Sequence, residues 1–84
     1  MPQRNELCAM PKRNSTLAGF GRNVRSRREA KALTQEKLAE LAELDRTFIS
    51  DVERGGRNLS LLNMKRIAKA LRTSVSELTQ GLGD

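Results

Sequence analysis

An 84-residue chain with a formal net charge of +6 and a sequence pI of about 10.5 has room for one small domain and favours a polyanionic partner. Hydrophobic residues make up 37% but include only two Phe and no Tyr or Trp, so the core is aliphatic and small, and a subunit interface would help to stabilise it. With no His and a single Cys, the common zinc ligand sets, Ser-His and Cys-His catalysis and an internal disulfide are excluded, and neither a metal nor a cofactor is expected.

Residues 1–15 contain both prolines, Pro2 and Pro11, and little apolar periodicity, which predicts a flexible N-terminal arm ahead of a domain over 16–84. Arg4, Lys12 and Arg13 have the chemistry to reach a phosphate or a groove, although a solvated tail is the simpler reading. Met10-Pro11-Lys12 is similar to Met1-Pro2-Gln3, which makes Met10 a second candidate translation start. Cys8 lies in the same polar stretch. No apolar run is long enough for a signal peptide or a bilayer span, so a reducing cytoplasm and no membrane are expected.

The spacing of Leu17, Phe20, Val24 and Arg28 predicts a first helix over Thr16 to Lys31, with Gly19 and Gly21 weakening its first turns. Thr34 is an acceptable N-cap for a second helix, Gln35 to Ala42, with Leu38, Ala39 and Ala42 turned inward and Leu33 packing on Leu38 as a staple. Asp45 caps a third, Arg46 to about Arg54. With Ile49 at the centre of its buried face, Val52 lies within about 60°, while Thr47, Ser50, Asp51 and Arg54 project to the other side. Arg46 and Phe48 lie on the flanks, Arg46 at the exposed N-terminal end. That polar face suits a ligand, though a solvated face would share the same periodicity.

Gly55-Gly56-Arg57-Asn58 reads as a loop, and Ser60 or Asn58 caps a fourth helix, Leu61 to Leu71, whose core stripe is Leu61, Met64, Ile67, Ala68 and Leu71. Ser74 caps a short fifth helix, Val75 to Gln80, and Ser74 and Glu77 have capping-box spacing. Gly81 and Gly83 end the fold. The expected class is all-α, with five short helices.

Charge is distributed unevenly along these elements. Residues 1–33 hold eight Lys/Arg and two acids, residues 34–53 two and six, and residues 54–84 six and two. An acidic centre flanked by basic segments suits docking of one particular helix with phosphates gripped on either side, better than it suits nonspecific coating. The acidic residues stand at helix-surface spacing, where solvated charge is the simpler reading than paired catalytic carboxylates.

Two short helices across a tight turn, the second offering polar residues at its N-terminal end, have the geometry that enters a major groove. The stretch LTQEKLAELAELDRTFISDVERGGRNLSL, followed by IAKAL and VSEL, resembles the Cro/phage-repressor (Xre) helix-turn-helix family over about Phe20 to Leu82, which implies a five-helix lambda-repressor-like DNA-binding domain. LDRTFIS and ERGGRNLSL are most similar to the controller proteins of restriction–modification systems.

Carried over by position, the resemblance implies that Gln35 bonds a phosphate at the start of the second helix and that Arg46 and Thr47 reach base edges. Ser50 and Arg54 would touch base or phosphate, and Arg57 and Asn58 would clamp phosphates. Asp51 is a poor phosphate neighbour, suited to accept from a cytosine amine or to exclude wrong registers. Phe48 is open to packing or to DNA contact. Arg28 and Glu53 would form a structural ion pair between the first and third helices. The sequence departs from the family where glycine is common: Ala32, Glu43 and Arg72 stand there, and a positive φ at Glu43 would cost about 1–2 kcal/mol.

The expected function is a dimeric, sequence-specific transcription regulator on a palindromic operator, with Leu62, Val75, Leu78 and Leu82 as candidate interface residues, some of them ordinary core. A controller would act on its own promoter and that of the endonuclease, activating at one occupancy and repressing at a higher one, with RNA polymerase a further candidate partner. The alternative is an antitoxin-like module that holds a toxin protein, for which only residues 1–15 are spare. An enzyme is not expected.

Overall fold

The structure is a computed structural model that describes residues 15–82. The expectations for Arg4, Cys8, Met10, Lys12, Arg13 and Gly83 lie outside the described residues. Five α-helices follow one another with no strand among the described residues: α1 Ser15–Ala30, α2 Gln35–Ala42, α3 Arg46–Glu53, α4 Leu61–Ala70 and α5 Val75–Leu78. None is long and apolar enough to cross a membrane.

Side-chain caps start four of them. Thr34 Oγ1 accepts from the Lys37 N–H at 2.9 Å, Asp45 Oδ1 from Thr47 at 3.1 Å, Ser60 Oγ from Asn63 at 3.1 Å and Ser74 Oγ from Glu77 at 3.1 Å. Ser60, not Asn58, therefore caps α4. The capping box at Ser74 is half made. The Glu77 carboxylate accepts instead from Thr73 Oγ1 at 2.8 Å and pairs with Arg27 at 3.0 Å. A charged donor from α1 is a stronger partner than a backbone N–H.

The helix ends share one device. At the end of α2, Leu44 N–H bonds Ala39 O and Glu43 N–H bonds Glu40 O, with Glu43 left-handed at φ 60°. The same paired bonds close α1 at Ala32 (φ 58°) and α4 at Arg72 (φ 57°). All three positions where the family favours glycine are thus left-handed without one. After α3 the device carries its usual residue, Gly55, at φ 79°.

The core joins Phe20 and Val24 of α1, Leu38, Ala39 and Ala42 of α2, Ile49 and Val52 of α3, Ile67, Ala68 and Leu71 around α4, and Leu78 of α5. Leu33 packs against it from the α1–α2 turn. Two expectations are corrected. Leu61 is not in the core stripe: it is 63% exposed, because as the first residue of α4 it overhangs the end of the packed face. Leu78 is not available to a partner. It is fully buried, the sole buried side chain of the four-residue α5. Val75 and Leu82 are half-buried against the same core, whereas Leu62 is 59% exposed.

Gly19 and Gly21 cost helix propensity but allow close approach. A Cβ on Gly21 would stand 2.3 Å from the Val52 carbonyl oxygen and 2.7 Å from that of Glu53. The last turn of α3 therefore rests directly on the backbone of α1.

Candidate nucleic-acid interface

The angle between α2 and α3 is tied by one partly buried polar hub. Arg28, on the last turn of α1, donates from Nε to Glu53 Oε2 at 2.6 Å and from Nη2 to Glu53 Oε1 at 3.1 Å. Its Nη1 donates to the Leu33 carbonyl at 2.6 Å. Glu53 Oε1 also accepts from Gln35 Nε2 at 3.0 Å, so α1, α2 and α3 meet on one carboxylate, and Arg28 ties the α1–α2 turn to it. The expected structural pair is present, with side-chain exposures of 11% and 4%. Hydrogen bonding to Glu53 raises the Arg28 pKa against the opposing effect of burial. The stabilisation from this shift is present throughout the neutral range and is lost only as pH climbs through the raised arginine value.

Gln35 stands at the opening of α2, as expected, but its amide nitrogen is engaged by Glu53. A phosphate arriving there meets the backbone N–H groups of the first helical turn more readily than the Gln35 side chain.

On the outer side of α3 the residues divide into two sets. At the N-terminal end Arg46 and Thr47 are exposed, and neither side chain has a hydrogen bond or ion pair to any described residue. At the other end Ser50, Asp51, Arg54 and Arg57 are joined. Arg54 donates from Nη1 to Ser50 Oγ at 2.7 Å and from Nη2 to Asp51 Oδ1, while Arg57 Nη2 donates to Asp51 Oδ2 at 3.1 Å. The Arg57 guanidinium also lies over the Phe48 ring, 5.0 Å from its centroid. Phe48 is half-buried against the core, so packing is one of its roles. Asn58 is exposed in the loop beside Arg57.

The cluster around Asp51 was not foreseen from the sequence. The spacing of Asp51 and Arg54 by one helical turn signals a pair, but the bond from Arg57 depends on the loop turning back at Gly55. There Gly56 N–H bonds Asp51 O at 2.9 Å, and a Cβ on Gly55 would lie 2.7 Å from the Ala18 Cα. The exposed end of α3 can thus offer unpaired donors to base edges, and the loop end two oriented guanidinium groups to phosphates.

A sequence model of the helix-turn-helix family matches residues 24–78. The control protein C.BamHI of Bacillus amyloliquefaciens is 50% identical over 60 residues, spanning 70% of this chain and 74% of that protein. The control protein C.SmaI of Serratia marcescens is 52% identical over 62 residues, spanning 71% and 74%. The crystal structure of the restriction–modification controller protein C.AhdI from Aeromonas hydrophila matches with a TM-score of 0.76 at 46% identity, covering 77% of this chain and 98% of that one. With its helix-turn-helix so placed, the chain belongs to the Xre-type helix-turn-helix family of DNA-binding transcription regulators, among the restriction–modification controller proteins.

Proposed function

We propose that this protein acts in the cytoplasm as a dimer that binds a two-fold operator upstream of its own gene and controls a restriction–modification operon. The observation that carries the reading is the unpaired Arg46 and Thr47 at the exposed start of an α3 anchored by the Arg28–Glu53–Gln35 hub. Arg46 presents two donors to the acceptors of guanine, and the Thr47 methyl packs on a thymine methyl. Ser50 and Arg54 follow along the groove, while Arg57, Asn58 and the first turn of α2 at Gln35 take phosphates.

One such unit reads only a few base pairs, so specificity in a genome calls for two, with half-sites about one helical turn apart. Exposed Leu61 and Leu62 on α4 supply an apolar contact for the second copy. Regulation of the endonuclease promoter, first upward and then downward as sites fill, and contact with RNA polymerase belong to the same reading.

The test is a titration of the purified protein on the DNA upstream of its gene and on random duplex at about 150 mM salt. A preference of about a thousandfold or more, with two molecules bound per operator, is expected. Equal affinity for both duplexes would overturn the reading of a local operator.

A further inference from the structure

Glu53 is turned inward to Arg28, which leaves Asp51 as the only carboxylate of α3 that reaches solvent. Its two oxygens are divided between two cations: Oδ1 accepts from Arg54, and Oδ2 accepts from Arg57 at 3.1 Å. Arg54 is held at a second point by Ser50 Oγ, and Arg57 at a second point by the Phe48 ring. The three charged groups therefore carry a net +1 where two free guanidinium groups would carry +2. The same contacts draw the two guanidinium groups together around Asp51, although the arginine side chains are otherwise solvent-accessible at 67% and 46%.

Nonspecific DNA binding is almost wholly phosphate neutralisation with release of counterions, so each unpaired surface cation adds to it whatever the sequence. A carboxylate between two arginines opposes that term at every site on the genome. Specific binding loses less, because a pre-oriented guanidinium gives up little side-chain entropy when its phosphate arrives where the arrangement expects it.

We propose that Asp51 is a positioning residue that sets how strongly the protein discriminates against random DNA, by cancelling one of the two arginine charges and holding both guanidinium groups in the arrangement that fits the operator. The proposal rests on the DNA-binding reading above, and it assigns to Asp51 a role exerted through Arg54 and Arg57.

The experiment compares wild-type protein with Asp51→Asn and Asp51→Glu on operator and random duplexes over about 50 to 200 mM salt. Asp51→Asn keeps the side-chain volume and removes the charge. Random DNA should then bind about three- to tenfold tighter, with the slope of log K against log salt steeper by about one. Operator affinity should stay level or fall, so the specificity ratio drops by about threefold or more. Asp51→Glu restores the charge and should return the salt slope to the wild-type value. A purely structural Asp51 would leave the slope unchanged, and thermal unfolding of each variant checks that the fold is kept. If Asp51→Asn fails to fold, Asp51→Ser makes the same comparison.

An unchanged slope on random DNA, or an equal factor on both duplexes, overturns the proposal. The slope on random DNA needs no operator, so it reads Asp51 even if the upstream sequence is the wrong target. Failure of the wild-type protein to bind either duplex overturns the DNA-binding reading itself.

Discussion

Arg28 and Arg46 are the same residue type in opposite situations, and their substitutions should separate cleanly. Arg28 is 11% exposed and bonded to Glu53 and to the Leu33 carbonyl. Replacing it with Ala leaves Glu53, at 4% exposure, without its cation, and should cost about 3–5 kcal/mol in urea unfolding. That is a large share of the stability of so small a domain. The double variant Arg28→Met with Glu53→Leu should be less destabilised than either single change, because no orphaned charge remains. Arg46 is exposed with no partner among the described residues, so Arg46→Ala should leave the unfolding curve in place. Its effect should appear on DNA: a loss of about 1–3 kcal/mol on the operator and a relaxed base preference. Arg57→Ala should instead weaken the operator and its point variants by a similar factor, leaving base preference unchanged. Titrations on an operator and its point variants distinguish the two patterns. A uniform loss for Arg46→Ala would remove it from base reading.

The helices were legible from the sequence where their chemistry is local. Thr34, Asp45, Ser60 and Ser74 sit at N-caps because a side-chain oxygen bonding an N–H two or three residues on is written in a few positions of sequence. Asp45 likewise puts Arg46 and Thr47 at the exposed start of a short amphipathic helix, whereas their reach to base edges is what the family resemblance implies. What depends on the packing of distant elements was not legible. Gly19 and Gly21 read as weak points in α1, but Gly21 lets the α3 backbone come within 2.3 Å of where a Cβ would stand. Gly21→Ala should therefore destabilise the protein by about 2 kcal/mol or more, although Ala gains about 1 kcal/mol in helix propensity. The three left-handed helix ends make the reverse case. Glu43→Gly should remove about 1–2 kcal/mol of backbone strain and return part of that as unfolded-state entropy, for a net gain of about 0.5 kcal/mol in the denaturant midpoint. A loss of stability for Glu43→Gly would mean that φ 60° is not strained at this turn.

At the scale of the whole molecule, the apolar periodicity of α4 and α5 shows which side chains are hydrophobic but not which ones a neighbour already covers. Leu78 is consumed by the core, while Leu61 and Leu62 stay 63% and 59% exposed. Beside Leu61 an open apolar cleft of about 590 Å³ runs between α4 and α5 over Ala68 and Val75, edged by Lys65, Lys69 and Arg72. The proposed two-fold contact is therefore centred on the start of α4, with Val75 at its edge and Leu78 behind it. Burying a leucine contributes about 1.5–3 kcal/mol, and a two-fold contact counts every residue twice. Leu62→Glu tests this placement, because the residue is exposed in one subunit and its loss should change monomer stability by no more than about 0.5 kcal/mol. Two glutamates facing across the axis, however, should turn the dimer into a monomer in sedimentation at micromolar concentration. Operator affinity should fall by about a hundredfold or more while random-DNA binding changes little, since a single helix-turn-helix retains its phosphate contacts but reads too few base pairs. Leu78→Ala should behave in the opposite way, costing about 2–5 kcal/mol of folding stability through the cavity it leaves. If Leu62→Glu stays dimeric, the contact lies on another face of the molecule, and the exposed leucines of α4 need a different explanation.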